Sequence, residues 1–507
     1  MFKPHKINRW ILTGTGALIA ASATAAFAAD SVDSLLDALV KKGVLTQKEA
    51  TDIKEENTTN IAVLPASKWK ISDAIKSIGL FGDVRFRYEY RSADNPQKDG
   101  LTTGDTYYRE RFRYALRAGI RGDLYDNWSY GIRIETSANP RSPWVTFADD
   151  TGKANSGGVS GASPSDKTSD FLNVGQVYLN WHPADWYEMT VGRMPMPLYT
   201  TPMVWDSDIN PEGAFEKLKY SIGPVDTFMD FAQFDYQNVS PDHQFPSADT
   251  FILAWQMGAI VNVHTNEAFK IAPVVYNYTG HGASAGLNTP FVGQGNLVGG
   301  NPNTPAALNQ DGINDLLVLE VPAEFTFPIP ANPVTGPLEG RLFGDFAYNF
   351  NGADRARAAF AAGGGNTATN GFFPGVSGPA TGENKAYQIG LGIGNRGPVY
   401  GPTQGLVYGT TSKKGTWEVR AYWQHIEQYS LDVNLIDSDF FEGRANLQGF
   451  YTAASYSFTD GIIGTLRYGH ASRINSNLGT GGSNLDLPQI NPINNYNLFQ
   501  ADLTWRF

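Results

Sequence analysis

Phe499-Gln500-Ala501-Asp502-Leu503-Thr504-Trp505-Arg506-Phe507 closes the chain, and its reading decides the fold. Taken by twos, Phe499, Ala501, Leu503, Trp505 and Phe507 form one face and Gln500, Asp502, Thr504 and Arg506 the other. Period two is the repeat of a strand whose two faces meet different surroundings. A soluble sheet could carry the same alternation, but it has less reason to place it at the terminus and to finish on an aromatic ring.

This ending resembles the C-terminal signal of bacterial outer-membrane barrels, with Phe499, Leu503, Trp505 and Phe507 as the assembly signal. The resemblance implies the barrel-assembly machinery as a partner. The other end agrees. Lys3, Lys6 and Arg9 precede an apolar run from Trp10 to Ala26, and Ala26-Phe27-Ala28 is an A-x-A cleavage pattern. A membrane anchor is the alternative, but the run is short and rich in small residues. Residues 1–28 are therefore expected to be a signal peptide cleaved after Ala28.

The chain has 507 residues, 41% of them hydrophobic and 13% aromatic, with 54 glycines and a formal charge of −11. Mean hydropathy is −0.30. Beyond the leader no stretch approaches the roughly 18–20 apolar residues of a spanning helix. A barrel reconciles low hydropathy with a membrane, because each strand shows lipid only every other residue. Cysteine is absent, which excludes thiolate catalysis, Fe–S clusters and covalent haem. An acidic chain argues against nucleic acid as a partner. The histidines are scattered and Gly-rich loops lead into no helix, so neither a metal nor a phosphate-bearing cofactor is indicated. Gly282-Ala283-Ser284-Ala285-Gly286 matches the nucleophile-elbow pattern but lies in a Gly-rich loop with no helix behind it. His425 and His470 have no evident serine partner, so no enzyme is expected.

Val32, Leu35, Leu36, Leu39 and Val40 have helical spacing, Gly43 is placed to end that helix, and Thr46 with Glu49 forms a capping box for a second. Residues 29–57 are thus expected to be a short periplasmic helical hairpin, packed on itself, on another subunit, or through 30–57 on the cell wall. Residues 58–78 read as a linker and 79–507 as the barrel. Its candidate strands are about 79–92, 106–122, 127–139, 170–182, 186–194, 212–222, 225–236, 250–264, 267–280, 313–327, 338–352, 382–394, 415–428, 445–459, 461–474 and 494–507. The expected fold is all-β, a transmembrane antiparallel β-barrel of about 16 strands. Strands 225–236 and 445–459 alternate poorly. Tight turns such as Gly223–Pro224 and Asp460–Gly461 take turns with long loops such as 194–211 and 281–312, the asymmetry of short periplasmic turns and long extracellular loops. Phe327–Leu338 and Gly394–Thr416 read as long connections at the short-turn end.

The first strands identify the inner face. Val84, Phe86, Tyr88 and Tyr90 alternate with Arg85, Arg87, Glu89 and Arg91. The second strand sets Tyr108, Phe112, Tyr114, Leu116 and Ile120 against Arg109, Arg111, Arg113, Arg117 and Arg121, and the third carries Arg133. An Arg facing mid-bilayer costs about 2–4 kcal/mol, so these nine arginines are expected to line a hydrated interior. The loop Met194–Gly213 combines prolines and aromatics with the carboxylates Asp206, Asp208 and Glu212. These acids are candidates for an inward-folded constriction facing the arginines; capping a turn or binding an ion at the rim is the alternative.

Lys42–Ala50, Gly82–Glu89, Gly192–Pro195, Trp205–Asp208 and the terminal strand together resemble the bacterial "putative porin" family of outer-membrane proteins. The resemblance implies a porin fold in outer-membrane lipid, passive diffusion of small solutes, and a third loop folded inward with its acids opposite arginines. A homotrimer, a substrate-specific anion channel and a surface adhesin or scaffold barrel stay open.

Overall fold

The computed structural model describes residues 41, 72, 74–94, 106–137, 142–147, 172–237, 250–264, 266–280, 316–332, 336–362, 378–395, 413–476, 478–480, 487 and 493–507. The expected signal peptide, and all of the helical hairpin but Lys41, lie outside these residues, as does the Gly282–Gly286 match. The chain divides into two units, Met1–Ile75 and Lys76–Phe507, and the second is the barrel.

Among the described residues the barrel has sixteen antiparallel strands. They are β1 (Gly79–Asp94), β2 (Thr106–Asp123), β3 (Trp128–Thr136), β4 (Leu172–Ala184), β5 (Tyr187–Arg193), β6 (Glu212–Ile222), β7 (Val225–Gln237) and β8 (Thr250–His264). There follow β9 (Glu267–Ile271 and Val274–Gly280), β10 (Leu317–Glu320 and Ala323–Asn332), β11 (Gly336–Asn349), β12 (Lys385–Asn395), β13 (Trp417–Ile426), β14 (Leu447–Thr459), β15 (Ile462–Arg473) and β16 (Asn495–Arg506). Each pairs with its chain neighbours, and β1 pairs with β16 to close the ring, Arg87 opposite Asp502 and Tyr90 opposite Phe499. Closure leaves no free edge, so every strand's backbone groups find partners without water. No described helix is long and apolar enough to cross a membrane.

Period two sorts the side chains as in the sequence. Phe86, Phe112, Ile132, Leu179, Leu391, Leu466, Leu503 and Trp505 are exposed on the outer surface, whereas Arg87, Glu89, Arg91, Arg111 and Arg113 are buried inside. Strand β7 alternates regularly, with Phe228, Ala232 and Phe234 buried and Met229 outward. The tight turns follow local chemistry: Asp126 and Asn127, at the centre of the turn closed by the Trp128 amide on the Tyr125 carbonyl, both adopt positive φ, 57° and 63°, as a type I′ turn requires.

Three sequence readings are corrected. The connection expected at Phe327–Leu338 is short, because β10 runs on to Asn332 and β11 begins at Gly336. Strands β9 and β10 are each interrupted, at Ala272-Pro273 and Val321-Pro322, where proline has no amide to donate. The loop after β11 carries an α-helix, α1 (Gly352–Ala362). Most of Gly394–Thr416 lies outside the described residues.

Candidate functional site

Two loops turn into the interior and contact inward-facing residues there, L3 (194–211) between β5 and β6 and L7 (427–446) between β13 and β14. L3 departs where Gly192 and Gly213 face each other in register, with φ of 123° and 146°. A Cβ at either would lie 2.0–2.3 Å from a carbonyl oxygen of the neighbouring strand, so both positions require glycine. The loop then lies against the far wall. The Tyr199 amide donates to Gln256 Oε1 at 2.8 Å, and Gln256 Nε2 donates to the Tyr199 carbonyl at 2.7 Å. Thr200 Oγ1 and the Tyr276 hydroxyl donate to the two oxygens of Glu320, at 2.7 and 2.8 Å. Thr201 Oγ1 donates to Asp345, and Leu198 and Met203 are wholly buried.

L7 meets L3 across the middle. Asp206 Oδ2 accepts from the Ser438 amide at 3.0 Å and from its hydroxyl at 2.9 Å. The Asp437 amide donates to the Pro202 carbonyl at 2.9 Å. Asp437 in turn accepts from the amides of Asp439 and Phe440. Burial, reinforced by Asp208 and Asp437 nearby, holds the Asp206 carboxyl well above its usual range. Burial beside Asp439 pushes that of Asp437 up to about 7. For Asp439 burial acts in the same direction but is outweighed by Arg87, Arg467 and Arg91, which hold its carboxyl below the ordinary value.

The guanidinium groups on the near wall contact carboxylates rather than open water. Arg87 reaches Asp502 at 2.8 Å and Asp439 at 2.6 Å. Glu89 gathers Arg91 at 3.0 Å, Arg111 at 2.5 Å and Arg113 at 3.7 Å. Arg467 of β15 also pairs with Asp502. Lower on the wall, Arg117 pairs with Asp208 of L3 and with Glu135 at 3.6 Å, and Arg133 meets Glu135 at 2.8 Å. The Arg87 guanidinium also lies 4.0 Å from the ring centre of buried Trp144, and that of Arg113 lies 5.8 Å away. Such ion pairs hold together in a partly desolvated interior because each charge has several oxygen or nitrogen partners.

The residues singled out in the sequence are therefore distributed as follows. Arg87, Arg91, Arg111, Arg113 and Arg117 converge on one interior wall and are buried there, with Arg133 half-buried beside them. Arg85 lies below them, paired with Asp83 at 2.5 Å. Arg121 is exposed near the short-turn end, over the Phe81 ring, and Arg109 is half-buried toward the loop end of β2. Asp208 faces Arg117 directly, whereas Asp206 faces L7. Glu212 opens β6 and accepts from Arg193 Nε at 2.7 Å, away from that wall. At the seam, Phe507 and Gly82 exchange backbone hydrogen bonds of 2.9 and 3.1 Å, and the Phe507 ring fills the space a Cβ on Gly82 would need.

Sequence reasoning missed L7 altogether, along with Trp144, Arg467 and Asp345; Glu320 and Asp502 are among the acids the sequence offers for the lumen wall. A signal for L7 existed: Asp432, Asp437, Asp439 and Glu442 crowd a stretch rich in buried apolar residues, an odd composition for a solvated loop.

The chain is similar to engineered variants of the porin of Rhodopseudomonas blastica. One five-substitution variant is 12% identical, spanning 85% of this chain and 100% of its own, with a TM-score of 0.36. A triple variant is likewise 12% identical over 85% and 100%, with a TM-score of 0.35. No curated protein matches the sequence. The family described as "Putative porin" matches residues 101–327 and 331–507, and the chain belongs to that porin family of outer-membrane β-barrels.

Proposed function

We propose that this porin is a water-filled channel for passive diffusion of small hydrophilic solutes and ions, narrowed by L3 together with L7. The carrying observation is the interior wall. A barrel of sixteen strands is wide enough for an aqueous passage. This one places at least six guanidinium groups on one interior sector, with carboxylates of two inward loops against them. A packed apolar interior has no use for such groups, and an adhesin working through its outer loops has none either. The charged band is the proposed selectivity element, with Arg87, Arg91, Arg111, Arg113, Arg117 and Arg133 on the wall and Asp208 on L3. Arg85, Arg109 and Arg121 are proposed to line the passage above and below it. Asp206 supports this element by anchoring L3 to L7, and Glu212 by fixing the start of β6.

Single-channel recording of the refolded protein in a planar bilayer tests this reading, with discrete conductance steps as the expected result. Arginine excess on β1 and β2 favours a second reading, an anion-selective channel. A reversal potential under a salt gradient separates the two.

The remaining assignments rest on the sequence. We propose removal of residues 1–28, a periplasmic helical hairpin over 29–57, a linker over 58–78, and assembly through the terminal strand by the barrel-assembly machinery. A homotrimer in outer-membrane lipid is the proposed assembly, and no cofactor, metal or catalytic role is proposed.

A further inference from the structure

The near-wall cluster is unbalanced without its loop. Strands β1, β2, β15 and β16 supply five guanidinium groups to it, from Arg87, Arg91, Arg111, Arg113 and Arg467, but only two carboxylates, Glu89 and Asp502. A wall of that composition would favour anions in the passage beside it. L7 brings Asp439 onto this excess. Its Oδ1 lies 2.6 Å from Arg87 Nη1, 3.8 Å from Arg91 Nη2 and 3.2 Å from Gln500 Nε2, and its carbonyl accepts from Arg91 Nη1 at 2.8 Å. Glu442, the next acid of L7, is 3.8 Å from Arg91 but is held by Arg444 at 3.1 Å.

Exposure separates Asp439 from the other carboxylates of the cluster. The side chains of Glu89, Glu442 and Asp502 are between 0 and 3% exposed, whereas that of Asp439 is 27% exposed; among the arginines Arg87 and Arg91 are buried and Arg467 is 19% exposed. Asp439 is therefore the carboxylate of this group that both touches the basic wall and reaches the open interior. Backbone bonds fix it there. The Asp439 amide donates to Asp437, and Asp437 and Ser438 are tied to L3 through Pro202 and Asp206.

We propose that Asp439 is a specificity-determining residue of this channel: the counter-charge, delivered by L7, that restrains the arginine wall from selecting anions. The inference rests on the channel reading above and adds to it a residue and a sign. Asp439→Asn keeps an oxygen acceptor for Arg87 and removes only the charge. One unit charge within reach of permeating ions alters their occupancy by a small factor at effective protein dielectrics, so the anion-to-cation permeability ratio is expected to rise roughly twofold to fourfold.

The absence of native cysteine provides a test on the folded channel. Asp439→Cys is reconstituted, its selectivity is recorded, and it is then treated with a sulfonate-bearing or a trimethylammonium-bearing methanethiosulfonate. The sulfonate is expected to return the ratio toward the wild-type value and the ammonium to raise it further. Unchanged reversal potentials for Asp439→Asn and for both modified forms, in channels that still conduct, would overturn the role of Asp439 and leave the channel reading intact. Absence of conductance in the folded wild-type protein would instead overturn the channel reading, and this inference with it.

Discussion

Ser438 donates twice to one oxygen of Asp206, from its amide at 3.0 Å and from its hydroxyl at 2.9 Å, and so fastens L7 to L3. Ser438→Ala removes one of these bonds and is expected to cost about 1 kcal/mol. Asp206→Ala leaves the half-buried amides of Ser438 and Asp208 without this acceptor as well, at about 1 kcal/mol for each bond lost. Limited proteolysis should therefore cut L7 faster in Asp206→Ala than in Ser438→Ala, and faster in both than in the wild type. Equal rates in all three would show that the two loops hold their places separately.

The same junction should respond to pH. The Asp437 carboxyl is raised by burial from 3.8 to about 7, so between those values the folded chain keeps a proton that the unfolded chain has lost. Stability contributed by this group is fully present below the unfolded value and falls as pH rises through the interval. Denaturant titration at about pH 5 and about pH 8 should find the wild type less stable at the higher pH, and Asp437→Asn should show a smaller difference. An identical difference in the variant would remove Asp437 from the explanation.

Barrel closure depends on a seat for the last ring. A Cβ on Gly82 would stand 2.3 Å from the Arg117 carbonyl oxygen and 2.7 Å from the Phe507 ring. Gly82→Val should cost on the order of 1–3 kcal/mol and lower the temperature at which heat-modifiable mobility is lost. Phe507→Ala, which empties the seat without a clash, should be milder in that assay. A Gly82→Val barrel as heat-resistant as the wild type would contradict the seam geometry.

Arg117 and Asp208 join wall to loop and carry opposite charges. Arg117→Gln should move the reversal potential toward cations and Asp208→Asn toward anions, with the double variant close to wild type. Shifts of the same sign in the two single variants would refute a shared selectivity element.

Much of this was legible in the sequence, for one physical reason. A barrel wall separates two solvents, so Val84 to Arg91 and Phe499 to Phe507 write their orientation into simple alternation. The closed ring, the outward aromatics and the inward arginines all follow from that period. Pro273 and Pro322 stand in the sequence, but the expected strands 267–280 and 313–327 run straight through them, because proline's effect depends on which amide a neighbour needs. What the loops do inside was not legible. L7 and Trp144 both meet Arg87, far from it in sequence, and no local pattern encodes such a contact. Asp206 shows the limit most clearly: its acidity pointed toward an arginine, yet its partner is Ser438, more than two hundred residues away.

The central claim is that the charged interior is a conducting passage. Recording the refolded protein in a planar bilayer under a salt gradient, after heat-modifiable mobility has verified a closed barrel, tests it most directly. Discrete conductance steps with weak selectivity, becoming anion-selective in Asp439→Asn, are predicted. A folded barrel that gives no steps would contradict the account and make L3 and L7 a plug.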